Sequence, residues 1–186
     1  MSLKTALVII AEDSEEIEVV TPIDVLRRVG VKVTIAGLNS SEPVRCARNT
    51  MIQPDKALSD VMDELFDLVV LPGGVDGSNH LAESDQVGKV LVTHHQANRL
   101  LASICAAALA FKMNRIALGA TLTSYPTTKD KLKDDYNYSE EKVVVSGNLI
   151  TSRGPSTAMI WSLKLVEVLL GEEKLQEAKK WALFDN

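Results

Sequence analysis

Three separated runs of apolar residues constrain this chain more than anything else in it. Lys4 to Ala11 (KTALVIIA), Asp67 to Leu71 (DLVVL) and Leu100 to Ile104 (LLASI) are each of strand length. Their cores show no alternation of polar and apolar positions, so both faces of each strand must be covered. That is the pattern of central strands in a parallel sheet packed between helices. Parallel neighbours need crossover connections, and the stretches between the runs are long enough to supply them.

The connecting segments fit this reading. After the first run an acidic turn, Glu12-Asp13-Ser14-Glu15-Glu16, leads into a helix ending near Val29 and Gly30, with Ile17, Val20, Ile23, Leu26 and Val29 at helical spacing. Ser14 is the expected cap. Pro22 lies inside this helix and cannot donate to the carbonyl of Glu18, so a kink is expected there. Val31 to Leu38 reads as a second strand. Ser40 to Leu58 reads as irregular, with short strands around Val44 to Cys46 and Met51-Ile52. A turn over Pro72 to Gly77 precedes a helix from Ser84 to Asn98. Ala120 to Ser124 is a further strand ending at Tyr125, and Lys129 to Glu141 is a surface helix and loop. Lys142 to Ser152 is a hairpin turning at Gly147-Asn148. Pro155 opens a long helix that Gly171 ends, and a last short helix covers Glu173 to Trp181. No linker, repeat or low-complexity segment interrupts residues 1–186, so one domain is expected.

Composition narrows the functional classes. A net charge of −5 without a basic cluster argues against an electrostatic nucleic-acid site, and no apolar run reaches membrane-span length. The N-terminal apolar run meets acid at once and lacks a small-residue cleavage site, so it reads as a strand and not a signal peptide. Two cysteines without CxxC spacing suit a reducing compartment. The expected location is the cytoplasm, with mitochondria and nucleus left open. Neither G-x-G-x-x-G nor G-x-S-x-G occurs, which leaves dinucleotide binding and serine hydrolysis unsupported. A phospho-acceptor domain would need an aspartate where this chain has Pro72. His94 and His95 point about 100° apart on a helix and make no metal pair, so His80, His94 and His95 are expected to be solvated. No metal and no organic cofactor is implied.

Ligands of open α/β sheets collect beyond the carboxyl ends of the strands. Those ends carry Glu12 to Glu18, the Pro72-Gly73-Gly74 turn, Cys105 and Tyr125. Cys105 sits where a buried strand turns into a run of alanines. Backbone N–H groups at a helix opening favour thiolate, so its pKa is expected below the free value of about 8.5. Glu18, among Ile17, Val19 and Val20, would have its pKa raised by burial and could pass a proton to or from the sulfur; a surface carboxylate like Glu15 and Glu16 is the alternative. Cys46 lies between Arg45 and Arg48, cations that would stabilise its thiolate; an inert loop thiol is the alternative.

Ala6-Leu7-Val8-Ile9, Glu15-Glu16-Ile17-Glu18, Asp24 to Arg28, Leu71-Pro72-Gly73-Gly74, Ile104-Cys105-Ala106 and Thr151 to Pro155 together closely resemble the Parkinsonism-associated deglycases of the ThiJ/PfpI superfamily. The likeness runs in register from about Lys4 to Gly171. It implies an α/β flavodoxin-like three-layer sandwich with a mainly parallel sheet, and a homodimer using the first helix. The implied activity is a cofactor-independent deglycase and glyoxalase acting on small α-oxoaldehydes or on glycated proteins and nucleotides. A redox-sensing chaperone whose cysteine goes to sulfinate is the implied alternative, and a cysteine peptidase is the weakest reading. By this resemblance Cys105 is the nucleophile and Glu18 its carboxylate partner. Gly74 and Ala106 would supply oxyanion N–H groups, and Gly73 and Tyr125 would complete the substrate site. Two positions depart from the family pattern. Tyr125 stands where vertebrate-type members have histidine, and its phenol, with a pKa near 10, is a poor base at neutral pH. Cys105-Ala106-Ala107-Ala108 replaces Cys-Ala-Gly-Pro, and the added bulk is expected to narrow the pocket.

Overall fold

The computed structural model describes residues 3–184. Its centre is a seven-stranded sheet built from β1 (Thr5–Ile10), β2 (Lys32–Gly37), β5 (Lys56–Ala57), β6 (Leu68–Leu71), β7 (Leu100–Ile104), β10 (Val143–Ser146) and β11 (Leu149–Ser152). The spatial order is β10-β11-β7-β6-β1-β2-β5, and every pairing is parallel except the β10–β11 hairpin. The three apolar runs of the sequence are thus the adjacent strands β7, β6 and β1.

Successive side chains of a strand point to opposite faces, so each run feeds two cores. Leu7, Ile9, Val69, Leu71 and Leu101 face one side, where they meet helices α2 (Val75–Glu83), α3 (Asp85–Gln96) and α4 (Ala108–Met113) through Leu81, Val90, Leu91 and Phe111. Ala6, Val8, Ile10, Val70 and Ile104 face the other. There they meet α1 (Glu16–Arg28), α6 (Ala158–Leu170) and α7 (Glu172–Ala182) through Val19, Leu26, Trp161, Leu165 and Leu175. This is the expected three-layer sandwich. Among the described residues no helix is long and apolar enough to cross a membrane.

Several local expectations need correction. α1 is capped by Glu15, whose carboxylate accepts the Glu18 N–H at 2.9 Å; Ser14 instead accepts the Ala11 N–H at 3.1 Å and closes the turn. Pro22 is tolerated within an unbroken α1, because the carbonyl it leaves free belongs to the first turn. The segment read as a turn up to Gly77 becomes α2 from Val75 onward. Residues 120–124 give only β8 (Thr121–Leu122), which pairs with β9 (Asn137–Tyr138) outside the main sheet. The short strands expected near 44 and 51 form a hairpin, β3 (Val44–Arg45) with β4 (Met51–Ile52). After a short α5 (Lys129–Leu132) the chain passes to β9 and on to the 143–152 hairpin. His94 is not solvated. It is fully buried, accepting the Phe66 N–H on Nε2 at 3.0 Å and pairing Nδ1 with the Val90 carbonyl at 2.7 Å.

Candidate active site

Because β1, β6 and β7 are neighbours, their carboxyl ends bring the acidic turn, the Pro72-Gly73-Gly74 turn and Cys105 to one place. Cys105 opens a 3₁₀ turn (Cys105–Ala107) leading into α4, and its φ is +62°, a left-handed conformation that non-glycine residues adopt at a cost. That strained elbow lifts the side chain out of the sheet, as nucleophile elbows do. The sulfur lies against Gly73, where an added Cβ would sit 2.4 Å from Cys105 Cβ and 2.3 Å from Glu18 Oε2. Only a residue without a Cβ lets the two side chains meet there.

Glu18 is fully buried. Its Oε2 accepts the Gly73 N–H at 2.8 Å, and its Oε1 has no nitrogen or oxygen partner, while the carboxyl is hydrogen-bonded to the Cys105 thiol. Burial, reinforced by the nearby Glu15 carboxylate, pushes Glu18 up to about 8. The expectation of a raised carboxyl holds. The expectation of an acidic thiol does not. Burial and the Glu18 carboxylate push Cys105 up to about 12, against the opposing pull of the Gly74 and Ala106 N–H groups. The physical reason is local: a 3₁₀ turn and a six-residue helix present a weak dipole, and the nearest charge is negative. Protonating Glu18 removes that negative charge, so the two groups titrate as one unit.

The backbone N–H groups around the sulfur divide into two roles. Gly74 and Ala106 point theirs at the sulfur, where an oxyanion formed on it would lie. Gly73 does not, because its N–H is held by Glu18. Gly73 is therefore a positioning residue for the carboxylate. Gly74, at φ +96°, has room for no Cβ: one would sit 2.2 Å from the Asp13 carbonyl.

A cleft of about 520 Å³ opens over the sulfur, lined by Gly74, Ala106, Tyr125, Arg48 and Asn79 among others. Tyr125 donates its backbone N–H to the Cys105 carbonyl at 3.1 Å, and its ring, 43% exposed, packs over Gly154. It forms a wall of the cleft. Ala107 and Ala108 are buried in the core and line no part of it, so they do not narrow the pocket as expected. Among the described residues no histidine lines the cleft. Cys46 lies in the β3–β4 turn, fully buried, with its thiol pushed up to about 11 by burial and by Glu16, Glu12, Glu15 and Asp13. The flanking arginines do not activate it, since Arg45 is paired with Asp13 at 3.0 Å and the acids outnumber the cations.

Residues 4–168 match the model of the DJ-1/PfpI family. The chain belongs to the DJ-1/PfpI family. It is 49% identical over 181 residues to "Protein dj-1beta" of Drosophila melanogaster, covering 97% of each chain. It is 41% identical over 179 residues, 95% of each, to a Caenorhabditis elegans protein named "Glutathione-independent glyoxalase DJR-1.2". The crystal structure of Drosophila DJ-1beta superposes with a TM-score of 0.97 at 47% identity over the whole of both chains. An oxidised Toxoplasma gondii DJ-1 superposes at 0.94 with 34% identity, covering 98% of this chain and 100% of that one. The sandwich of this chain is thus the DJ-1/PfpI, flavodoxin-like arrangement.

Two features of the site had no sequence signal in side-chain chemistry alone: the positive φ of Cys105 and the start of α2 at Val75. For the first, the abrupt change from a buried strand to small helix formers was the available clue.

Proposed function

We propose that this chain is a cofactor-independent glyoxalase, acting also on early α-oxoaldehyde adducts of proteins or nucleotides, with Cys105 as nucleophile and Glu18 as proton carrier. The observation that carries the reading is the contact of a reachable thiol with a fully buried carboxyl, beside two N–H groups aimed at the sulfur. The name of the C. elegans relative supports the substrate class.

In this scheme the Glu18 carboxylate takes the thiol proton as sulfur adds to the aldehyde carbon, giving a hemithioacetal whose oxygen receives the Gly74 and Ala106 N–H groups. Glu18 then moves the proton from the former aldehyde carbon to the neighbouring carbonyl carbon by way of an enediol. The first carbon is oxidised to a thioester and the second reduced to a hydroxyl-bearing carbon, with no external electron acceptor. Water releases the hydroxy acid and restores the thiol. Methylglyoxal plus water thus gives lactate, and glyoxal gives glycolate. Tyr125 shapes the pocket and can hydrogen-bond the substrate. We place the chain in a homodimer through α1, whose Ile17 and Val20 are each about half exposed; light scattering at micromolar concentration should return twice the chain mass.

The test is lactate formation from methylglyoxal by the wild type and by Cys105→Ala. Wild type should turn over and the variant should fall to background; equal rates would remove Cys105 from the reaction.

One observation favours a second role. The same two N–H groups and a protonated Glu18 would hold the oxygens of a sulfinate, and the T. gondii relative is described as oxidised. Peptide mapping after mild peroxide should then find two added oxygens on Cys105 before any on Cys46. A peptidase reading has no support, since none of the histidines lines the cleft.

A further inference from the structure

The cleft over Cys105 does not end at the thiol. A second groove of about 300 Å³ continues from it, and Asn79, Leu109 and Lys131 line both. Its course follows from helix periodicity. Leu109 and Met113 are four residues apart and fall along one face of α4, and Leu109 also lines the cleft that holds Cys105. Val75, Asn79 and Ala82–Glu83 repeat in the same way along α2, which packs beside α4. Two such faces set side by side make a trough that leads from the cleft over the thiol toward Met113.

The trough is apolar on its floor. Leu109 is half-buried, Ala82 is buried, and Met113 is 63% exposed at the far end. Of the charged residues lining the groove, Lys112 is held by the Asp135 carboxylate at 2.8 Å and by the Lys131 carbonyl, and Glu83 and Lys131 are exposed and of opposite sign. The lining therefore carries no one-sided charge that calls for an ionic ligand. A three-carbon aldehyde bound at Cys105 would leave all of it empty, although ligand sites bury most of their ligand.

We infer that the α2–α4 trough is a substrate-tail subsite, and that the preferred substrates are α-oxoaldehydes bearing a straight apolar chain of about six carbons. This rests on the glyoxalase reading above. The aldehyde carbon bonds to Cys105 and the chain lies over Leu109 toward Met113, so Met113 is a specificity-determining residue that touches no reacting atom.

The experiment compares kcat/KM for 2-oxooctanal with that for methylglyoxal. Burying a methylene is worth roughly fourfold in affinity, so three or more in contact should favour the longer substrate at least tenfold, chiefly through KM. Met113→Glu should cut that ratio at least fivefold, and Met113→Leu should preserve it; the site is exposed enough for both to fold. A wild-type ratio within twofold of one, or a ratio that Met113→Glu leaves in place, overturns the inference. If neither aldehyde is turned over, the glyoxalase reading fails, and the trough is decided by labelling instead. Cys105 should then be alkylated at least tenfold faster by N-hexyl iodoacetamide than by iodoacetamide, with Met113→Glu reducing that preference. Equal labelling by both reagents would show that no tail site exists.

Discussion

The two cysteines of this chain differ less in acidity than in surroundings. Both thiols are pushed above the ordinary range, to about 11 for Cys46 and about 12 for Cys105, in each case by burial and neighbouring carboxylates. Cys46 is sealed in the β3–β4 turn with carboxylates acting only at a distance. Cys105 stands on a strained elbow at the wall of an open cleft, in contact with one carboxyl that is itself poised near neutrality. On the proposed function, reactivity depends on access and on a partner able to accept the thiol proton, not on a low resting pKa. A helix-dipole argument by itself points the wrong way.

The contrast can be broken most directly at the partner. Glu18→Gln leaves Cys105 accessible and removes the proton acceptor, so single-turnover glyoxalase rates should fall at least a hundredfold. If the rate stayed within a few-fold of wild type, the two cysteines would differ in access alone. A smaller effect is expected at Tyr125, which walls the cleft and leaves the Glu18 carboxyl in place. Tyr125→Phe should cost tenfold or less in the same assay, and a larger loss than at Glu18 would make the tyrosine the working replacement for the family's histidine. The smallest effect belongs to the other thiol. Cys46→Ser should change kcat/KM by less than twofold, because its side chain lines no part of the cleft; a tenfold loss would show that the acidic turn transmits changes to Glu18.

The sequence made some of this legible and hid the rest for identifiable reasons. The strands at 4–11, 67–71 and 100–104 could be read because a run apolar on both faces has few other homes, and their adjacency then brought Cys105, Glu18 and Gly74 together. Burial of Glu18 was not legible from its neighbours alone, since Ile17 and Val20 are about half exposed, and a surface carboxylate like Glu15 and Glu16 fitted the residues as well. Nor was α2, because Gly77, Ser78 and Asn79 are weak helix formers whose helicity here comes from packing of Leu81 and Ala82 on the sheet. His94 was misread since only one of two adjacent histidines needs to face inward, and the Phe66 N–H it satisfies is distant in sequence. The acidity of Cys105 was inverted because sequence shows that a helix follows a cysteine but not how short it is, nor which carboxylate reaches the sulfur.

The central claim is that Cys105 and Glu18 act as one unit that must give up a single proton to become active. Its direct test is the pH dependence of kcat/KM for methylglyoxal in wild type and in Glu18→Gln. The folded carboxyl is raised from about 4.5 to about 8, so the pair keeps its extra proton through neutral pH and loses it above. Wild-type activity should rise with pH through a midpoint near 8 to a plateau, and Glu18→Gln should show no step there. A wild-type plateau already reached at pH 6, or the same midpoint near 8 in the glutamine variant, would contradict the account.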